Sequence, residues 1–303
     1  MLGVSTFRGS KAFHLHTKTS PDPTLKMDLP QSKWIRKCLQ LSPTHVLLCG
    51  DDKYMQIIDI ANTTPALNLA KHAGYVLDAI QLSSFNQSRG EEQIYIAACS
   101  PSDLLVYKIG LNPLAFVSLQ CFSNLHNLPM TCLVELSRQS LATGGMDRTV
   151  KILDMQTQKV QKRLKANGEI SRLLCLDDGR LMANVCNKNL CMWDLKSGKN
   201  KEVVEGVLGV NDKLSKGLIQ IDQWKVIYAG ADSSVCELDL RKGPGTQIYS
   251  HNYPPCGIIE VKGCLVSASY DMDLRVWDIT DQSYDDTFTL KHNITALNKF
   301  NSH

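Results

Sequence analysis

Residues 265–279 read LVSASYDMDLRVWDI. Two apolar stretches flank a polar turn at Asp271–Met272–Asp273, and the second ends in Trp277–Asp278. Apolar runs bounded by turn residues are the pattern of a β-hairpin. A lone two-stranded hairpin is marginal in water, so this one must pack against something. It is either an isolated hairpin of a mixed fold or one tooth of a repeating ring.

Other copies of its closing strand decide between these. SKAFHLH ending at His16, YMQIID at Asp59, LLVYK at Lys108, TVKILD at Asp154, LCMWD at Asp194 and VCELD at Asp239 align on it. Successive closing positions lie 43, 49, 46, 40, 45 and 39 residues apart, with Asp278 the last. Repeats of about 40–45 residues signal propeller blades. Seven residues before each closing position stand Gly9, Asp52, Pro101, Asp147, Asn187, Asp232 and Asp271, all turn-forming types. A third regularity lies upstream. His126 precedes Asp154 by 28 residues and His251 precedes Asp278 by 27; Asp212 and Asn167 hold the 27-residue offset in their repeats. His72 lies 36 residues before Lys108, with the polar stretch SSFNQSRGEEQ intervening as an insertion.

With these residues in view, the chain resembles a WD-repeat β-propeller over essentially its whole length. The Trp-Asp pair survives at Trp193–Asp194 and Trp277–Asp278, and the Gly-His pair is reduced to a lone His in KHAGYV, LHNLPM, SHNYPP and KHNITA. The spacing extends across the termini. The 25 residues after Asp278 and the 16 up to His16 together make one further period, and His292 keeps the histidine offset. This predicts a single all-β domain over residues 1–303, a seven-bladed propeller in which residues 1–29 and 292–303 share one blade. ITALNKF is its innermost strand. In the repeat that holds the opening hairpin, PCGIIEVKG is expected innermost, then CLVSASY, DLRVWDI and DTFTLK. QSKWIRKCLQL has weak helical spacing, but its place in the register makes it an inner strand. Closure removes the sheet edges that invite aggregation.

The net charge is only +3, and no apolar run approaches the length of a membrane helix. The N-terminus has no secretory h-region. The odd count of 11 cysteines with no CxxC pair fits small buried hydrophobes in a reducing compartment. The expected location is intracellular, cytoplasmic or nuclear, with no metal and no cofactor.

His251, Ser267 or Ser269, Asp271 and Trp277 are residue types that a hydrolase could use. In WD repeats the same positions resemble a structural relay joining His, a strand hydroxyl, the turn Asp and the Trp ring nitrogen. His126, Thr143 and Asp147 form a partial version with Leu153 in place of Trp. No G-x-S-x-G elbow accompanies them. The fifth repeat ends Leu238-Asp239-Leu240-Arg241. This resembles the Trp-Asp-x-Arg box by which some propellers dock a cullin-RING ligase adaptor, with Leu238 replacing Trp. Its plain alternative is an exposed Arg opening a turn. From Asp147 to Glu202 there are 12 Lys or Arg against seven Asp or Glu. Lys159, Lys162, Arg163 and Lys165 form the densest patch, suited to an acidic partner or to a solvated outer strand. No interleaved aromatic set supports single-stranded nucleic acid. The stretches Gly110–Leu125 and Lys196–Val210 are read as long loops, with Phe116, Phe122 and Leu125 either in an outer strand or exposed as an anchor. The expectation is a non-catalytic scaffold or adaptor, a monomeric propeller inside a hetero-complex. A ligase substrate receptor is the first alternative, and a propeller-based hydrolase the second.

Overall fold

The computed structural model describes residues 2–6, 9–14, 24–30, 35–51, 53–59, 64–69, 72–83, 93–137, 139–185, 189–197, 200–204, 217–230, 233–261, 263–279, 284–289 and 294–299. They form a β-propeller of four-stranded antiparallel sheets, seven in number. Six sheets each use four consecutive strands, and one is assembled from both ends of the chain.

The first strands are β1 (Leu2–Thr6), β2 (Gly9–His14) and β3 (Thr24–Pro30). Blade 1 is β4 (Ile35–Gln40), β5 (His45–Gly50), β6 (Met55–Asp59) and β7 (Thr64–Asn68). Blade 2 is β8 (Asp78–Leu82), β9 (Gln93–Cys99), β10 (Asp103–Leu111) and β11 (Leu114–Ser123). Blade 3 is β12 (Met130–Ser137), β13 (Ser140–Gly145), β14 (Thr149–Asp154) and β15 (Lys159–Lys165). Blade 4 is β16 (Ile170–Cys175), β17 (Leu181–Val185), β18 (Asn189–Trp193) and β19 (Asn200–Val204). Blade 5 is β20 (Leu218–Gln220), β21 (Lys225–Ala229), β22 (Ser234–Asp239) and β23 (Gly243–Ser250). Blade 6 is β24 (Pro255–Val261), β25 (Cys264–Ser269), β26 (Asp273–Asp278) and β27 (Tyr284–Thr289). The composite sheet runs β28 (Ile294–Lys299), β1, β2, β3.

The first strand of each blade lies innermost. Around the axis β4, β8, β12, β16, β20, β24 and β28 contact one another in turn, and β28 returns to β4. The sheets of blades 1 to 6 bury apolar side chains on both faces, so the core is a series of layers between blades. Leu47, Ile57, Ile96 and Tyr107 fill the layer between blades 1 and 2. Leu104, Val106, Leu141 and Leu153 fill the next. Val150, Leu181 and Trp193 lie between blades 3 and 4. Both-sided burial explains why the strands are near-continuous apolar runs rather than alternating ones.

The layers also explain the eroded Trp-Asp pairs. In five repeats the position before the closing residue holds Ile58, Tyr107, Leu153, Trp193 and Leu238, all 0–2% exposed, and in blade 6 it holds the partly buried Trp277. Packing there needs volume and apolarity, which several side chains supply.

At one mouth of the central channel the inner strands share a carboxylate. Asp78 of β8 accepts hydrogen bonds from the Arg172 guanidinium of β16 (3.1 Å) and the Leu133 amide of β12 (3.3 Å). Lys37 of β4 lies 3.7 Å from its other oxygen. Asp78 thus links blades 1 to 4.

Two expected loops are corrected. Residues 110–123 are almost wholly strand, the end of β10 and all of β11, because β10 and β11 run on as a long paired hairpin. Lys196–Val210 contains β19, which pairs with β18; residues 205–210 lie outside the described ones. Phe122 is buried and Phe116 packs partly buried on Tyr107, while β11 exposes Val117 and Leu119. His16 and His292 also lie outside the described residues.

The seam of the ring is tight: a Cβ placed on Gly257 of β24 would lie 2.8 Å from the Leu297 Cβ of β28. Leu297 is 7% exposed. Leu297→Ala should cost about 2–5 kcal/mol. Removal of residues 294–303 should lower the thermal midpoint of the whole chain in one cooperative transition. Retention of an unchanged midpoint by the truncated chain would contradict closure as a stability element.

Candidate functional site

Strand direction sorts the connections onto two rims. Turns between the second and third strands share one rim with the connections between blades. Histidine, hydroxyl and carboxylate groups meet there in three blades.

In blade 3, His126 Nδ1 lies 2.9 Å from Asp147 Oδ1, and His126 Nε2 lies 2.9 Å from Thr143 Oγ1. The carboxylate acceptor requires a proton on Nδ1, leaving Nε2 to accept from the hydroxyl. Asp147 also accepts the Asn127 amide at 3.1 Å and the Thr149 hydroxyl at 2.7 Å. Burial pushes the His126 pKa down, against the opposing pull of Asp147, so the ring stays neutral. Gly145 makes room for it, since a Cβ there would lie 2.6 Å from His126 Nδ1.

Blade 6 repeats the plan. His251 bonds Asp271 at 3.1 Å and Ser267 at 2.7 Å, and Asp271 accepts the Asn252 amide at 2.9 Å. The expected fourth member is corrected. Tyr249, not Trp277, donates to Ser267 Oγ, at 2.7 Å, and Trp277 stacks on the Tyr249 ring with centroids 5.8 Å apart. A phenol on β23, the outer strand of blade 5, reaches the hydroxyl that the indole was expected to reach. Ser269 stands apart and donates to the Tyr253 carbonyl at 2.6 Å.

Blade 2 holds a relay that the repeat spacing missed. His72 Nδ1 lies 3.0 Å from Asp103 Oδ1, and the Tyr107 hydroxyl lies 3.1 Å from His72 Nε2. Asp103 also accepts the Ala73 amide at 3.0 Å and the Ser100 hydroxyl. The spacing pointed at Pro101, but the turn here is one residue tighter, with Cys99 opposite Leu104 against Gly144 opposite Val150 in blade 3, and the acid stands two residues later at the start of β10. Tyr107 stands at the Trp position and contacts the histidine directly. The Asn187 and Asp232 turns of blades 4 and 5 lie outside the described residues.

The fully buried Ser267 accepts from Tyr249 and bonds His251. A nucleophile needs open approach to a substrate carbonyl, and this arrangement ties a strand to a loop instead. Among the described residues no three His, Cys, Asp or Glu side chains converge as metal ligands. The ten described cysteines are free thiols, of which only Cys121 is exposed.

The opposite rim carries the Asp239–Arg241 pair. Arg241 donates to both Asp239 oxygens, at 3.0 and 2.8 Å, and its guanidinium lies 5.3 Å over the Trp224 ring. These hydrogen bonds hold the Asp239 carboxyl well below the usual carboxylate range. The Arg241 side chain remains 53% exposed. Lys159, Lys162, Arg163 and Lys165 lie on β15, the outer strand of blade 3, and all four are exposed. Lys162 donates to the Leu195 carbonyl of blade 4.

No protein-family model and no curated protein sequence matches this chain.

In Asp103 and Asp271 burial favours the neutral acid, but hydrogen bonds from His72 and His251 and from backbone amides outweigh it. Both carboxyls sit at about 2 rather than 3.8. A carboxyl depressed on folding contributes stability that is full above its ordinary pKa and is lost as pH falls through its folded value. Urea midpoints should therefore drop steeply between about pH 4 and about pH 2, and less steeply in Asp271→Asn. Tyr249→Phe should cost about 1 kcal/mol through the lost hydrogen bond. An equal stability for Tyr249→Phe and the wild type would remove Tyr249 from the relay.

Proposed function

We propose that this chain is a non-catalytic scaffold of the WD-repeat type that docks partner proteins on the rim carrying the relays. The observation that supports it is where apolar side chains meet solvent. Among the described residues, the large exposed hydrophobics are Tyr54, Tyr75, Val117, Leu119, Leu128, Trp224, Tyr253 and Met272. Five of them, Tyr54, Tyr75, Leu128, Tyr253 and Met272, share that rim. Large apolar groups gathered on one face of a soluble fold mark an interaction surface.

The relays explain how the rim is presented. Tyr75, Leu128 and Tyr253 follow His72, His126 and His251 by two or three residues. In each case the turn carboxylate also accepts the amide just after the histidine. Each relay thus pins a loop just before its exposed side chain. A loop held rigid before binding loses less entropy on docking. The same positions that resemble the relay of WD repeats therefore serve presentation rather than bond chemistry.

A second reading concerns the other rim. The bidentate, Trp-stacked, half-exposed Arg241 is held ready for an acidic or carbonyl-rich surface, which favours adaptor docking through the box that ends at Arg241. The two readings use opposite rims and separate by mutation. Leu128→Ser with Tyr253→Ser should leave the thermal midpoint near that of the wild type and remove the partners recovered from cell extract. Arg241→Glu should leave those partners in place and remove only a cullin adaptor, if that reading holds. Recovery of identical partners by the Leu128–Tyr253 variant would overturn the rim assignment.

A further inference from the structure

The rim over blades 1 to 3 is one continuous surface, because successive loops bond one another. The His72 amide donates to the Lys53 carbonyl at 2.8 Å and the Val76 amide to Gly50 at 3.0 Å. Gly74 packs on Pro101, where an added Cβ would lie 2.8 Å from the ring. Asn124 donates to Ser102 at 2.9 Å, Met130 to Pro101 at 3.1 Å and Met146 to Pro129 at 2.9 Å. Tyr54, Tyr75 and Leu128 are exposed along this arc.

Its charge is lopsided. The described carboxylates at the second-to-third-strand turns of the arc are taken by internal groups: Asp51 by Arg36, Asp103 by His72, and Asp147 by His126 and Thr149. Two cations remain. Lys53 and Arg148 follow the turn acids of blades 1 and 3 and occupy the same left-handed turn position, with φ of 63° and 62°. No described carboxylate pairs with either, and Arg148 is exposed. Lys53, half-buried, and Arg148, exposed, stand at second-to-third-strand turns at the two ends of the apolar strip.

Resting on the rim reading above, we infer that the partner segment taken by this arc is an acidic peptide with aromatic or aliphatic anchors. Its apolar side chains would cover Tyr54, Tyr75 and Leu128, and its carboxylates would meet Lys53 and Arg148. Cations that pair with no described carboxylate, beside an apolar strip, reject basic segments and select acidic ones.

The test is selection of random peptides displayed on phage against the full chain, with two variants as parallel baits. One is Tyr75→Ser with Leu128→Ser. The other is Lys53→Asn with Arg148→Asn, since Asn tolerates the left-handed turn conformation and so keeps the fold. Enriched peptides should carry an excess of Asp and Glu beside Phe, Trp or Leu, and should be lost from both variants. A synthetic copy of the dominant peptide should bind about tenfold more weakly to the Asn variant and weaken as salt rises. Peptides lost from the Ser variant but neutral or basic in composition, or indifferent to the Asn variant, would overturn the acidic assignment and leave the rim reading standing. Peptides indifferent to both variants, or no enrichment at all, would overturn the rim reading and this inference with it.

Discussion

The pairing of the last strand with the first holds this fold in place. β28 and β1 run antiparallel from Leu2 opposite Lys299 to Thr6 opposite Ile294. Every other sheet closes between strands that follow one another in the chain, over short loops. This sheet alone requires the two ends of the chain to meet, which carries the largest loop-closure cost. In return the inner strands form an unbroken circle, and each blade gains apolar neighbours on both faces. Without β28, β24 and β4 would each lose an adjoining inner strand, and the seam at Gly257 and Leu297 would open to water.

A closed ring is stiff at the centre and variable at its rims. Asp78 draws together Lys37, Leu133 and Arg172 across the channel mouth, so blades 1 to 4 are joined by charge as well as by packing. Farther out, the three relays convert buried histidines into anchors for surface loops. Their hydrogen-bond pattern follows from their partners: a carboxylate accepts from one ring nitrogen, and a hydroxyl meets the other. That chain of bonds partners the histidine, hydroxyl and carboxylate of each relay inside an apolar layer, which is the condition for placing them there. The exposed tyrosines and leucine beyond each histidine are therefore displayed on a fixed frame.

Much of this frame was legible from spacing. The closing strands, the turn acids Asp147 and Asp271 and the histidines at a constant offset all mark positions whose geometry tolerates few alternatives. The misses have physical causes. Asp103 escaped because the blade 2 turn is tighter and its acid stands two residues later, at the start of β10. Tyr249 escaped because it contacts Ser267 from a different sheet, the outer strand of blade 5, which no offset within one repeat encodes. Gly110–Leu125 read as a long loop because β10 and β11 run longer than the average strand; Phe116 and Phe122, read as outer strand or anchor, lie on β11. On β11 the alternation breaks at a bulge between the partners of Val106 and Tyr107, so the faces of Val117 and Leu119 could not be read from parity.

The sequence by itself determined the repeating all-β architecture and the residues of two relays, because strand period, turn chemistry and buried hydrogen bonding each constrain local residue type. Tertiary structure decided which hydroxyl completes each relay, which apolar side chains stay outside, and which charges remain unpaired. Those outcomes depend on distances between different blades. Asp51 is silenced by Arg36 and Asp147 by His126, while Lys53 and Arg148, one residue past a turn acid, find no carboxylate among the described residues. Charge that looks balanced along the chain becomes unbalanced on a surface, because folding pairs groups by proximity in space and not by order in sequence.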